Sequence, residues 1–190
     1  NGLAWSPDAR TLYWADTPGH TIRAWDWDAQ TNTLSRPRVF ASWPGKPAQW
    51  QPGLPGNGGY GGRPDGAAVD TDGNYWVAIP SLRDPMLDSL ADKPTVRKAL
   101  AKLLNHVQFP IKPHAMALAV NPAGVVIANL QADKAGDYYY YVTQVTPFGG
   151  KLYLGSVHIN GVATVANPGL EDLPHLGGSV NSSPVLHPSY

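Results

Sequence analysis

One plan is written twice in this chain. NGLAWSPDARTLYWAD (residues 1–16) and DGAAVDTDGNYWVA (65–78) each open on Asn or Asp followed by Gly. Each then runs through a short strand of small and apolar residues, an Asp-bearing turn and an aromatic strand. A weaker third copy is YVTQVTPFGGKLYLGS (141–156). Between the copies lie TIRAWDWD (21–28), RVFASW (38–43), HAMALAV (114–120), GVVIANLQ (124–131) and VATVA (162–166). These runs alternate or are rich in β-branched and aromatic residues, and Gly, Pro, Asn and Asp bound them, which is how strands and their turns read. A repeated unit of this size buries its faces by stacking on its copies. Four strands per unit read as blades of an all-β propeller. About three blades fit residues 1–167, and 168–190 form a tail outside the plan. Propellers close with roughly four to eight blades, so further blades are expected from upstream sequence, a second chain or self-association. The chain opens on a strand and without Met, and residue 1 is expected to be a cut within a longer protein or a processed end.

Composition narrows the chemistry. There is no cysteine, which excludes disulfides and thiolate metal sites. Fourteen basic residues balance fourteen acidic ones, so no electrostatic grip on nucleic acid or an anionic membrane surface is expected. No apolar run approaches the roughly 20 residues of a membrane helix. The compartment is not legible.

Two segments interrupt the repeat. PGKPAQWQPGLPGNGGYGGRP (44–64) is a Gly/Pro-rich loop leading into Asp65. It reads either as a surface connection or as a loop over a central pocket, with Trp50 and Tyr60 as contact residues. SLRDPMLDSLADKPTVRKALAKLLNH (81–106) reads as a helical insertion broken near Pro94, with Pro94 in a first turn and Asp92 as its cap. Leu82, Met86, Leu87 and Leu90, then Val96, Leu100, Leu103 and Leu104, give apolar stripes suited to packing.

The innermost strand of each blade begins near the propeller axis. Repeat equivalence therefore aims Asn1 and Asp65 at one axial cavity from adjacent blades. An amide oxygen and a carboxylate make a hard, all-oxygen site for a divalent cation, Ca²⁺ first, with Mg²⁺, Mn²⁺ or Zn²⁺ as alternatives. The third copy places Tyr141 or Thr143 there, neither a strong ligand. The competing reading is that Asn-Gly and Asp-Gly are only turn dipeptides. Asp8, Asp70 and Asp72 read as turn formers, and Asp26 and Asp28 as solvated. Of the histidines, His114 at a strand start is placed near the pocket; His20, His158, His175 and His187 read as loop, edge or tail residues. There is no G-x-S-x-G nucleophile elbow and no phosphate-binding Gly-rich loop.

At these residues the chain resembles a known group. NGLAWSPDARTLYWADT with GRPDGAAVDTDGNYWVA, and FGGKLYLGS later, is similar to the SMP-30/gluconolactonase family of six-bladed, metal-dependent lactonases. The resemblance implies that Asn1 and Asp65 bind the ion and that Asp65 is the general base. It implies a hydrolase of cyclic esters, of which this chain is the C-terminal half-ring. It also implies a further Glu ligand and substrate-binding residues from blades upstream of residue 1. WVAIPSLRDPMLDSLADKPTVRKALAKL and YVTQVTPFGGKLYLGSVH resemble strictosidine synthase-like propellers, whose catalytic Glu falls at Thr143 here, a departure from synthase chemistry. Together the resemblances cover about residues 1–165. The alternatives are a strictosidine synthase-like ester hydrolase and a non-catalytic ligand-binding propeller.

Overall fold

The expected strands form, and antiparallel pairing joins them in chain order. A computed structural model describes residues 1–42, 62–81, 89–90, 92–104, 114–131 and 139–168. The first sheet holds β1 (Ala4–Trp5), β2 (Thr11–Asp16), β3 (Thr21–Asp28) and β4 (Thr33–Ser42). The second holds β5 (Ala67–Val69), β6 (Tyr75–Ala78), β7 (Met116–Val120) and β8 (Val126–Gln131). The third holds β9 (Val142–Phe148), β10 (Lys151–Ser156) and β11 (Ala163–Ala166). Each sheet is a meander starting at one edge, and the edge strands β1, β5 and β9 contact one another in that order. These are propeller blades with their first strands innermost.

The repeat equivalence appears in the backbone. The Asn1 amino group donates to Ala15 O at 3.2 Å, and Ala15 N–H returns to Asn1 O at 2.9 Å. In the next blade Asp65 N–H donates to Ala78 O at 2.9 Å, and Ala78 N–H bonds Gly66 O at 2.9 Å. Asn1 and Asp65 thus occupy matching opening positions, each against an alanine near the end of the second strand.

Two cores flank the middle blade. Tyr13, Ala15 and Ile22 of the first sheet pack with Tyr75, Val77, Met116 and Leu118 of the second. Trp76, Ala78, Ala117 and Ala119, on the opposite face, pack with Val145, Leu152 and Leu154 of the third. Both faces of β6 and β7 are covered, so they read as continuous apolar runs rather than alternating ones. At the two ends of the row, Trp5, Val39 and Phe148 remain exposed.

The structure corrects several boundaries. β4 starts at Thr33, five residues before the expected Arg38. It is a mostly exposed edge strand, and between the pairs Ala24–Arg38 and Asp26–Ser35 two residues, Arg36 and Pro37, oppose Trp25 alone. That bulge places Arg36 at φ 48° and lets a proline sit in a strand. The helix α1 (Pro94–Leu104) has Pro94 at its first position, as expected, but Lys93 caps it through Lys93 O and Arg97 N–H at 3.0 Å, so Asp92 lies one residue outside. Val96 on the expected packing stripe is exposed. The first part of the expected insertion, 82–88, lies outside the described residues.

Asp26 is also not simply solvated. It pairs with Arg36 and, at 2.7 Å, with Arg38. Asp8 and Asp70 are turn formers: Asp8 Oδ1 accepts from Ser6 Oγ at 2.6 Å and Arg10 N–H at 3.1 Å. Asp70 accepts from the backbone of Asp72 and Asn74, from the Asn74 amide and from Trp76 Nε1. Asn74, almost fully buried, is thereby satisfied. Asn129 is satisfied by Gln131 Nε2 at 3.0 Å. His114 is buried, and its Nε2 has no partner among the described residues.

Two predictions follow from this packing. The Tyr75 hydroxyl crosses the first seam to Gly2 O at 2.5 Å. Tyr75→Phe should lower unfolding free energy by about 1–3 kcal/mol, because a buried carbonyl loses its donor; an unchanged urea midpoint would show the bond to be idle. Burial lowers the His114 imidazole below its ordinary value of 6.5, with a Gln131 hydrogen bond pulling partly back. The unfolded chain therefore takes up that proton first. Stability from neutral His114 is complete above the unfolded value and is lost as pH falls through the folded one. Urea unfolding between about pH 8 and about pH 5 should show His114→Gln losing less stability than the wild type. Parallel curves would refute this.

Candidate active site at the blade openings

The first two blades meet through a glycine. Gly2 has φ 56°, and a Cβ there would lie 2.4 Å from Asp65 O, 2.8 Å from the Tyr75 hydroxyl and 2.9 Å from Ala15 Cβ. Only glycine combines that conformation with that approach. Asp65 follows the fully buried Pro64, whose ring limits the backbone leading into it. On its other side, Gly66 N–H donates to Thr143 O at 2.8 Å, and a Cβ at Gly66 would meet Thr143 O at 2.3 Å and Gln144 Oε1 at 2.2 Å. Asp65 is therefore held between the openings of its two neighbouring blades.

A short relay orients Asn1. Asn1 Nδ2 donates to Thr17 Oγ1 at 3.0 Å, and Thr17 Oγ1 donates to Pro64 O at 2.7 Å. The Pro64 carbonyl only accepts, so the single Thr17 hydroxyl proton goes there. Towards Asn1 the hydroxyl can only accept, so the amide must present its NH₂. Asn1 Oδ1 is left as the atom available to a ligand. Thr17 has no counterpart in the repeat copies, which is why sequence reasoning passed over it.

The Asp65 carboxylate differs from its neighbours. It is half-buried, yet no hydrogen bond or ion pair engages it among the described residues. Burial raises its pKa above the ordinary carboxylate value. A partly desolvated carboxylate without a partner among the described residues is a candidate binding or catalytic group.

The donor set suits a hard divalent cation, which takes roughly six to eight oxygens when it is Ca²⁺. Asp65 would contribute a charged oxygen ligand and Asn1 a neutral one. Among the described residues no group of three or more His, Cys, Asp or Glu could hold an ion. These two residues could supply only part of a coordination shell.

The remaining expected site residues divide. Thr143 lies in β9 with its carbonyl committed to Gly66. Tyr141 immediately precedes β9 at φ 50°, and its N–H donates to His114 O at 2.9 Å. His114 thus adjoins the third opening through its backbone. Trp50 and Tyr60 lie outside the described residues. Gln144 was not expected; its amide donates to Ala67 O at 3.3 Å across the second seam.

The chain is 33% identical over 113 residues to protein STRICTOSIDINE SYNTHASE-LIKE 3 of Arabidopsis thaliana, covering 56% of this chain and 29% of that protein. It is 41% identical over 80 residues to 6-deoxy-6-sulfogluconolactonase of Pseudomonas putida, covering 41% of this chain and 22% of the relative. The matched stretch spans less than a third of the length of these curated relatives. A solved structure of a calcium-binding protein, regucalcin, from Agrobacterium tumefaciens is similar at a TM-score of 0.47 and 17% identity, over 81% of this chain and 36% of that one. The family described as the SMP-30/Gluconolactonase/LRE-like region matches residues 1–118. Two repeat copies, their shared opening geometry and this match lead to one conclusion: the chain belongs to the SMP-30/gluconolactonase/LRE-like family.

Proposed function

We propose that this chain supplies part of the active site of a metal-dependent lactone hydrolase. The observation that carries the reading is the half-buried Asp65 carboxylate, unengaged among the described residues, together with an Asn1 amide that Thr17 ties to the carbonyl of the preceding Pro64 and whose oxygen is left available. Asp65 and Asn1 are the residues that would hold a divalent cation, Ca²⁺ before Mg²⁺, Mn²⁺ or Zn²⁺. When bound, such an ion supplies Lewis acidity towards a carbonyl oxygen. Asn1 adds no charge to the shell, so the ion's polarising power is preserved.

Asp65 has the second role of proton acceptor. Water attacks the lactone carbonyl carbon and its proton passes to the carboxylate; the ring C–O bond then breaks as the carboxyl returns that proton to the leaving ring oxygen, releasing a hydroxy acid. A bound cation would lower the proton affinity that burial raises, so this carboxylate would be a modest base unless the attacking water were also polarised by the ion. Gly2 and Gly66 keep its backbone fixed on both sides, so little reorganisation is needed.

The remaining ligands would come from other blades. The exposed apolar side chains at both ends of the row, Trp5 and Phe148 among them, are consistent with such neighbours, supplied by upstream sequence, a second chain or self-association.

In the full natural protein, Asp65→Asn should lower kcat/KM for lactones by roughly 100-fold or more, the scale of a lost general base. Its unfolding free energy without metal should stay within about 0.5 kcal/mol of wild type, since the carboxylate has no partner to lose. Retained activity would sink the assignment, and a large stability loss would make Asp65 structural. Chelation should abolish hydrolysis and added Ca²⁺ restore it. Hydrolysis indifferent to chelator would instead point to a strictosidine synthase-like ester hydrolase.

A further inference from the structure

The third blade opens with an aromatic group that the mechanism above does not use. Tyr141 packs on His158 at a 42° tilt with ring centroids 4.4 Å apart, Tyr140 meets Tyr141 edge-on at 5.2 Å, and Tyr140 reaches His158 at 6.2 Å. Tyr140 and Tyr141 are only half-buried and His158 is exposed, so the rings are accessible. Tyr141 holds φ 50° just ahead of β9. A bulky side chain in that conformation persists only where its surroundings over-determine it, and such residues gather at functional sites. Here the surroundings are explicit. His114 O accepts the Tyr141 N–H at 2.9 Å, and Ser156 Oγ donates to Tyr140 O at 2.7 Å. Ser156 Oγ also receives His158 N–H at 3.1 Å.

The cluster adjoins the start of the third blade's first strand. Tyr141 lies two residues before Thr143, whose carbonyl binds Gly66 N–H, next to Asp65. Its chemistry is apolar. Residues 139–168 contain no Asp or Glu, and exposed Val157 extends the surface beside His158. A polyhydroxylated sugar ring needs several fixed acceptors, whereas flat aromatic faces suit an aryl or alkyl group.

We propose that Tyr141, backed by Tyr140 and His158, is a specificity-determining residue that receives an apolar, preferably aromatic, substituent of the lactone. This rests on the lactone hydrolase reading above.

The test uses the full natural protein with γ-phenyl-γ-butyrolactone and D-glucono-δ-lactone as substrates. A calorimetric titration with 5-phenyl-2-pyrrolidinone, a lactam, reports binding without turnover. Wild type should prefer the phenyl lactone. Tyr141→Gly removes the ring and relieves the backbone, so the fold should persist. It should raise KM for the phenyl lactone and weaken lactam binding by roughly two- to tenfold, the scale of one aromatic contact, and leave KM for the sugar lactone unchanged. Tyr141→Phe should behave as wild type. Equal losses on both substrates, or unaltered lactam binding in Tyr141→Gly, would overturn the proposal. Full activity of Asp65→Asn would overturn the hydrolase mechanism separately, because lactam binding reports on Tyr141 whatever the catalytic group.

Discussion

The close approach of two backbones at Gly2 governs the first seam and therefore the geometry of both opening residues. The Gly2 carbonyl receives the phenol of Tyr75, which is wholly buried and packs at 5.4 Å against Tyr13. Burial pushes that phenol up, so it remains a donor at any ordinary pH. The absence of a Cβ at Gly2 then lets the Asp65 carbonyl come against the first blade. Gly66 repeats the device against Thr143 in the third. Asp65 is thus gripped by its backbone on both sides while its carboxylate is left unengaged. Among the described residues the hydrogen bonds fix the Asp65 backbone and none reaches its carboxylate.

The same residue type serves opposite purposes within one chain. Asp8, Asp28 and Asp70 all bond groups two to four residues away, through Arg10, Gln30 and Asn74 respectively. Each closes a tight connection, and Asp70 also satisfies a buried Asn74 amide that would otherwise be costly. Asp65 sits in an Asp-Gly pair that looks like another of these, yet its carboxylate does none of this work. Local sequence does not separate the two uses. What separates them is the position in the blade: turns at the far end of a blade need closure, whereas the first residue of an inner strand has its backbone paired already.

That distinction also marks how far the sequence was legible. The strands and the pairing of Asn1 with Asp65 followed from the repeat, because rotationally related blades place equivalent residues equivalently. The seam contacts did not follow. Tyr75 and Gly2 are 73 residues apart, Thr17 and Pro64 are 47 apart, and Gln144 and Ala67 are 77 apart. Nothing in local pattern announces a phenol, a hydroxyl or an amide reaching across blades. The early start of β4 was hidden because Arg36 and Pro37 sit in a bulge on an exposed edge, where neither alternation nor apolar content is required. The cap of α1 was misplaced by one residue because Asp92 is the better capping type, while the proline at 94 decides where the helix begins. Trp50 and Tyr60 depend on a loop outside the described residues.

The opening positions explain how such a fold can change chemistry without changing its core. The first two blades present Asn1 and Asp65 at comparable places, a neutral oxygen donor and a carboxylate, and Tyr141 places an aromatic ring two residues ahead of the third blade's counterpart, Thr143. None of them belongs to the two buried clusters that hold the sheets together. The residues that do hold them, such as Tyr75, Leu118 and Leu152, sit deeper in the blades and are fully buried. Substitution at an opening therefore alters what the axis can bind at little cost to packing, provided that Gly2 and Gly66 still allow the blades to close up. On the proposed reading, ion binding and proton transfer fall to the first two blades and substrate choice to the third. That division follows from blade geometry, because neighbouring openings look onto a common space yet each is built on its own sheet.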